Sequence, residues 1–403
     1  MSTQRKGTDW RHWLIAAWAT IIAPGAANAE WSGFVSLEHQ GFLHPALYPP
    51  QHRSYYSVVL QPEYYHLFEG SRDSFTFVPF VRAAQHDPER GHADIRELTW
   101  LKVGADYEWR LGIRKLFWGA TEALHLVDIV NQTDLVENID GEDKLGQPMI
   151  NLALIRAWGT LDFFVLPGFR ERSFPGAAGR LRTEPRVDTS QSIFESDRKR
   201  RHVDLAVRWK KSFGALDVGL SHFAGTGRDP VLSLGLDGGG KPVLIPRYDQ
   251  IHQNGLDLTA VTGNWLWKLE AIRRTGQGPA YSAATGGLEY TFTGVFGTRM
   301  DLGVLTEYLY DDRGASAPTP FQDDVFIGLR LALNDAQSSE LLTGVIDDRR
   351  GSARFYNLEA SRRFGGHWKL SLEARVFADI PPTDPQYTLR RDDYVQLELA
   401  RYF

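Results

Sequence analysis

The chain contains no cysteine. It therefore has no disulfide framework, no thiolate nucleophile and no cysteine-built metal centre. Methionine is scarce, at 3 of 403 residues. Neither sign of charge is in large excess: 45 Lys and Arg face 50 Asp and Glu, a formal net charge of −5. So mild a balance calls for no polyanionic or polycationic partner, and no nucleic acid is expected. Beyond residue 29 no window approaches 18 uninterrupted apolar residues, which excludes a transmembrane helix. Catalytic signatures are missing too: there is no G-x-S-x-G, no H-E-x-x-H and no P-loop. No cofactor is implied.

What is present begins at the N-terminus. Arg5, Lys6 and Arg11 precede a short apolar run, Trp13 to Ala23. "PGAANA" follows, with an A-x-A site at Ala27 and Ala29. That is the three-part plan of a secretory signal peptide over residues 1–29, with cleavage expected before Glu30. An exported chain without a spanning helix is either soluble outside the cytoplasm or a β-barrel.

From Glu30 onward the dominant period is two. Val203, Leu205, Val207 and Trp209 alternate with Asp204, Ala206 and Arg208. Trp368, Leu370, Leu372, Ala374 and Val376 alternate with Lys369, Ser371, Glu373 and Arg375. Such alternation marks strands with one apolar and one polar face. Eighteen segments of this kind are expected, at 31–43, 53–68, 73–86, 93–104, 108–118, 149–158, 161–169, 200–211, 215–226, 252–262, 265–275, 281–292, 298–310, 322–334, 338–349, 352–364, 367–379 and 391–403. Most are as long as a tilted strand must be to cross a bilayer.

The connections alternate long and short. The short ones ("EGSR", "ADY", "GT", "KSFG", "GN", "TGVFG", "DAQ", "GG") carry Gly, Asn and Asp suited to hairpin turns. The long ones include 119–148, 170–199 and 227–251; one near Arg350 and Gly351 is short. Aromatic residues gather at strand ends. Trp31, Trp109, Trp158, Trp209, Trp265, Trp368, Tyr402 and Phe403 lie by short turns, and Trp118, Phe169, Phe223, Tyr308, Tyr310 and Phe377 near the other rim. Two such belts are what a bilayer selects.

With its leader, its alternating connections and its final Phe403, the chain resembles a Gram-negative outer-membrane β-barrel of the porin type. "LGIRKLFWG" (Leu111 to Gly119) is similar to a strand-end pattern in such proteins. The resemblance spans residues 30–403. It implies an all-β, transmembrane, antiparallel up-and-down barrel of about 18 strands, with 16 as the alternative. Turns would face the periplasm and long loops the outside. Outer-membrane lipid, lipopolysaccharide, a small solute and the outer-membrane assembly machinery would be partners, Phe403 being the assembly signal. The barrel could be a monomer or a trimer.

The connection 119–148 opens with Ala120, Ala123, Leu124 and Val127 at helical spacing, so a short amphipathic helix is expected there. It is acidic, with Glu122, Asp128, Asp134, Glu137, Asp140, Glu142 and Asp143 against Lys144. The third long loop of porins commonly folds into the barrel. The expectation is that Asp134, Glu137, Asp140, Glu142 and Asp143 face Arg82, Arg110, Arg114, Arg156 and Arg208 across a constriction. Asp140 to Asp143 lacks the spacing of an EF-hand, so calcium is not expected. The basic connection at 170–199, running into Arg198 to Arg201, suits contact with lipopolysaccharide, or a solvated loop. "PVLSLGLDGGGKPVLIP" reads as a projecting hairpin. Wall acids and bases nearly balance, so the wall alone implies no single-sign preference.

The leading reading is a passive channel for small hydrophilic or amphiphilic solutes in the outer membrane. The alternatives are a non-conducting structural or export barrel with partner proteins, and a barrel enzyme using histidines such as His86 beside Asp87. A soluble periplasmic β-protein is the remaining alternative.

Overall fold

The computed structural model describes residues 29–403. The leader, including Ala27, lies outside the described residues; Ala29 opens the first strand. The strands are β1 (Ala29–Phe42), β2 (Ser54–Leu67), β3 (Ser74–Ala84), β4 (Ala93–Val103), β5 (Tyr107–Arg114), β6 (Gln147–Arg156) and β7 (Gly159–Pro167). There follow β8 (Ile193–Phe194), β9 (Val203–Phe213), β10 (Leu216–Thr226), β11 (Val231–Leu236), β12 (Pro242–Tyr248), β13 (Gln250–Thr262) and β14 (Trp265–Gly276). The last are β15 (Gly278–Phe292), β16 (Asp301–Asp311), β17 (Asp323–Ala332), β18 (Glu340–Asp348), β19 (Arg354–Phe364), β20 (Trp368–Ala378) and β21 (Tyr394–Tyr402).

Eighteen of these strands form one sheet. Each pairs antiparallel with its neighbour in sequence, and β1 pairs with both β2 and β21, so the sheet closes. The seam runs from Phe34 opposite Tyr402 to Phe42 opposite Tyr394, and the Phe403 N–H donates to the Gly33 carbonyl at 3.1 Å. A closed sheet leaves no open edge, the condition for strands in lipid. Gly214 and Gly263 take positive φ values of 62° and 63° in two-residue turns, the conformation such hairpins require.

The barrel is inside-out relative to a soluble protein. In β1, Ser36, Glu38 and Gln40 are buried inward while Leu37 is exposed. In β9, Asp204 is buried and Leu205 exposed; in β17, Asp324 and Phe326 are buried and Ile327 exposed. Alternation thus places an apolar skin outside and polar side chains within, as a lipid-facing wall requires.

Several expectations need correction. Trp118, Phe169, Phe223 and Phe377 are buried in the interior rather than set in an outer belt. Phe223 has the inward parity of β10, and Trp118 has already left the wall. Tyr308 and Tyr310 do face outward. The helix at 120–127 does not form. Among the described residues, helical structure is limited to short 3-10 turns. The long-and-short pattern breaks a second time at β14 to β15, joined by Gln277 alone.

At the long-loop end the interior is filled. Val127, Ile129 and Val130 pack with Trp118, Phe164, Phe223 and Ile251. A second cluster joins Phe42, Tyr55, Phe377, Leu389 and Tyr394 with Ile139 and Leu181. The 227–249 connection forms the expected hairpin, β11 with β12, and β8 adds a parallel strand to it.

Candidate functional site

The site is built by the connection 115–146 between β5 and β6. It runs from β5 across to the β14–β17 wall and back to β3, β4 and β20. On the far wall Glu270 of β14, fully buried, accepts from the N–H groups of Ala120 (2.7 Å), Thr121 (3.1 Å) and Val127 (3.1 Å) and from the Thr121 hydroxyl (2.8 Å). Glu307 of β16 accepts from the N–H of Glu122 (2.8 Å) and of Ala123 (2.9 Å). These bonds explain the missing helix: the N–H donors are satisfied by wall carboxylates instead of by their own carbonyls. Glu122 meets Arg330 at 2.6 Å and Lys268 at 3.3 Å.

The carbonyl of Val130 accepts from Arg228 Nε (3.0 Å) and Nη2 (2.8 Å). Arg228 is itself held by Asp204 at 2.6 Å. That carboxylate sits against Gly225, where an added Cβ would lie 2.3 Å from Asp204 Oδ1, so the position admits only glycine.

On the near wall the segment's acids meet arginines. Glu137 receives a bidentate pair from Arg82, Nε at 2.9 Å and Nη2 at 2.6 Å. Arg82 also reaches Glu38 at 3.1 Å, and Arg90 reaches Glu38 at 2.6 Å. Asp134, with no exposed surface, takes Arg96 at 2.8 Å and the Ser173 hydroxyl at 2.6 Å. Burial opposes its ionisation, yet His92, Arg96 and Ser173 hold the carboxyl down at about 2. Asp140 meets Arg375 of β20 at 2.9 Å. Glu142 is exposed, 3.8 Å from His125. The Asp143 side chain has no hydrogen bond or ion pair among the described residues. Burial, then Asp140 and Glu137, push it up to about 7.

Of the five wall arginines expected opposite the segment, Arg82 meets its carboxylates. Arg110 pairs with Glu108 of its own strand, and Arg208 pairs with Asp257 at 2.8 Å while stacking on Trp118. Arg156 binds Asp106 at a short turn, on the rim away from the segment. The Arg114 guanidinium makes no hydrogen bond or ion pair among the described residues, although its carbonyl accepts from Asn131 of the segment at 2.8 Å. The acidic stretch of the segment lies against β3, β4 and β20, so its carboxylates do not meet the arginines on β5, β6 and β9. Arg96, Arg375, Glu270 and Glu307 also hold the segment. Arg375, Glu270 and Glu307 have the inward parity of their strands, a signal present in the sequence. Arg96 shares the parity of outward-facing Trp100 and turns inward at a β-bulge opposite Val78 and Pro79, which no period reveals.

His92 Nε2 lies 3.5 Å from Asp134 and 3.6 Å from Glu137, a grouping of the size that holds a metal ion. Both carboxylates already carry a guanidinium. Burial opposes protonation of His92, but Asp134 and Glu137 outweigh it and raise the imidazole. The group is therefore matched in charge without a metal.

Beneath the segment lies a cavity of about 570 Å³, lined by Asp140, Glu142 and Asp143 and by inward residues of β17 to β21.

No protein-family model matches the chain, and no curated protein matches it. Among solved structures it is similar to one described as "Asymmetric conductivity of engineered proteins", at 11% identity and a TM-score of 0.46. It is similar also to two mutants of the Rhodopseudomonas blastica porin, at 11% identity and 0.45, and at 12% and 0.44. Each alignment covers 93% of this chain and all of the other.

Proposed function

We propose that the chain forms an outer-membrane channel for passive diffusion of small hydrophilic or amphiphilic solutes, with residues 119–148 as its constriction. The observation that carries this reading is the inside-out wall crossed by an acidic segment, leaving a polar cavity below. A lipid-facing skin has no use on a soluble protein, and a polar lumen has none unless water or solute enters it. Because apolar clusters fill the long-loop end, passage is narrow. In this reading the leader, cut after Ala29, directs export. Lipopolysaccharide surrounds the basic 170–199 connection.

Liposome swelling with sugars of graded size tests the channel. Small sugars should enter and larger ones should be excluded at a low size limit. Absence of swelling at every size, with the barrel inserted, would refute it. A second expectation concerns Phe403, proposed as the assembly signal. Its deletion should lower the amount of folded barrel in the outer membrane while the chain still reaches the periplasm. An unchanged membrane level would count against that role.

A further inference from the structure

The cavity beneath the segment is not balanced in charge. Eight carboxylates line it: Glu122, Asp140, Glu142 and Asp143 on the segment, and Glu340, Glu359, Glu373 and Glu398 on the wall. The cations in its lining are Arg330 and Lys369, and Arg330 is committed to Glu122 and Glu289. Glu359 and Glu373 stand directly opposite each other on β19 and β20, a like-charge pairing that is unfavourable in a sheet. One guanidinium, Arg375, serves both (3.1 and 3.0 Å) and Asp140 (2.9 Å) as well.

Two lining carboxylates have no hydrogen bond or ion pair among the described residues. Glu398 projects inward from β21, level with Ser371, Ser361 and Glu340 across the sheet. Asp143, partly buried beneath the segment, borders the same space. An uncompensated carboxylate in such a setting either stays protonated or takes a cation from outside.

We propose that this cavity binds organic cations carrying more than one amino or guanidinium group, and that these are the solutes selected. The second clause rests on the channel reading; the first does not. A bare metal ion fits less well, because it needs ligands converging on one point. Among the described residues the group that converges so is His92, Asp134 and Glu137, outside this cavity. Here the carboxylates are spread around a space into which Leu342 also projects. Acids spread in this way suit separated charges on a methylene chain.

Spermidine is the probe, titrated calorimetrically into the detergent-solubilised full chain. Saturable binding is expected. It should weaken tenfold or more in the Asp143→Asn/Glu398→Gln variant, which removes two charges without removing any bond of the fold, and persist in Asp143→Glu. No saturable binding, or equal affinity in the double variant, overturns the proposal. Liposome swelling with a small neutral sugar is run beside it. Sugar entry without spermidine binding overturns the cation site and leaves the channel. Spermidine binding without entry of any solute retains the site and refutes the channel.

Discussion

Replacing Glu270 with Ala should release the β14 end of the segment 115–146 and lower the stability of the barrel by on the order of 3–6 kcal/mol. The substitution strips acceptors from the N–H groups of Ala120, Thr121 and Val127 and from the Thr121 hydroxyl. Each buried donor left without a partner costs roughly 1–3 kcal/mol, partly recovered if the segment moves to water. The denaturant midpoint, followed by tryptophan fluorescence, measures the first effect. Single-channel conductance in planar bilayers measures the second and should rise, because the obstruction is no longer clasped. Glu270→Gln should fall between, since one of its two acceptor atoms becomes a donor facing Val127. A Glu270→Ala barrel with unchanged midpoint and conductance would show that the clasp bears no weight.

Replacing Arg82 with Met should be nearly as severe. Arg82 bonds Glu137 through two nitrogens and Glu38 and Ser57 through a third, and all three acids and bases of the set are almost wholly enclosed. Breaking a buried ion pair by removing one partner costs about 3–5 kcal/mol, mostly because the other charge is left stranded. Glu38 keeps Arg90, so the stranded group is chiefly Glu137. The double variant Arg82→Met/Glu137→Leu should therefore be more stable than Arg82→Met alone. A double-mutant cycle in urea reads this coupling, and strictly additive losses would contradict it. Arg82→Lys should not restore the wild type, because an ammonium cannot make the bidentate bond.

The strands were legible because lipid and lumen impose opposite chemistries on alternate residues. Each of the eighteen expected segments corresponds to a barrel strand, and the closing pair β1 and β21 follows from their number and from the short turns between them. The hairpin at 231–248 was legible for the same local reason, an Asp-Gly-Gly-Gly turn between two apolar runs. Rim aromatics were less so. Phe223 and Phe377 lie at strand ends, and end position alone does not say which face a ring takes.

The partners of the 115–146 segment could not be read off in this way. Its acids announced an interior of charge, but which charge met which depended on the path of the chain across the lumen. Glu137 to Arg82 lies 55 positions apart in sequence, and Asp140 to Arg375 lies 235. No period links such positions. Nor could the spacing of Ala120, Ala123 and Val127 reveal that two wall glutamates would take the N–H groups a helix would have used. The sequence by itself determined the barrel, the place of its strands and, in most of them, which face meets lipid, because those follow from a two-residue period and short turns. Only the tertiary structure decided how the charges of the lumen pair and which are left over, because that depends on distances across a closed ring.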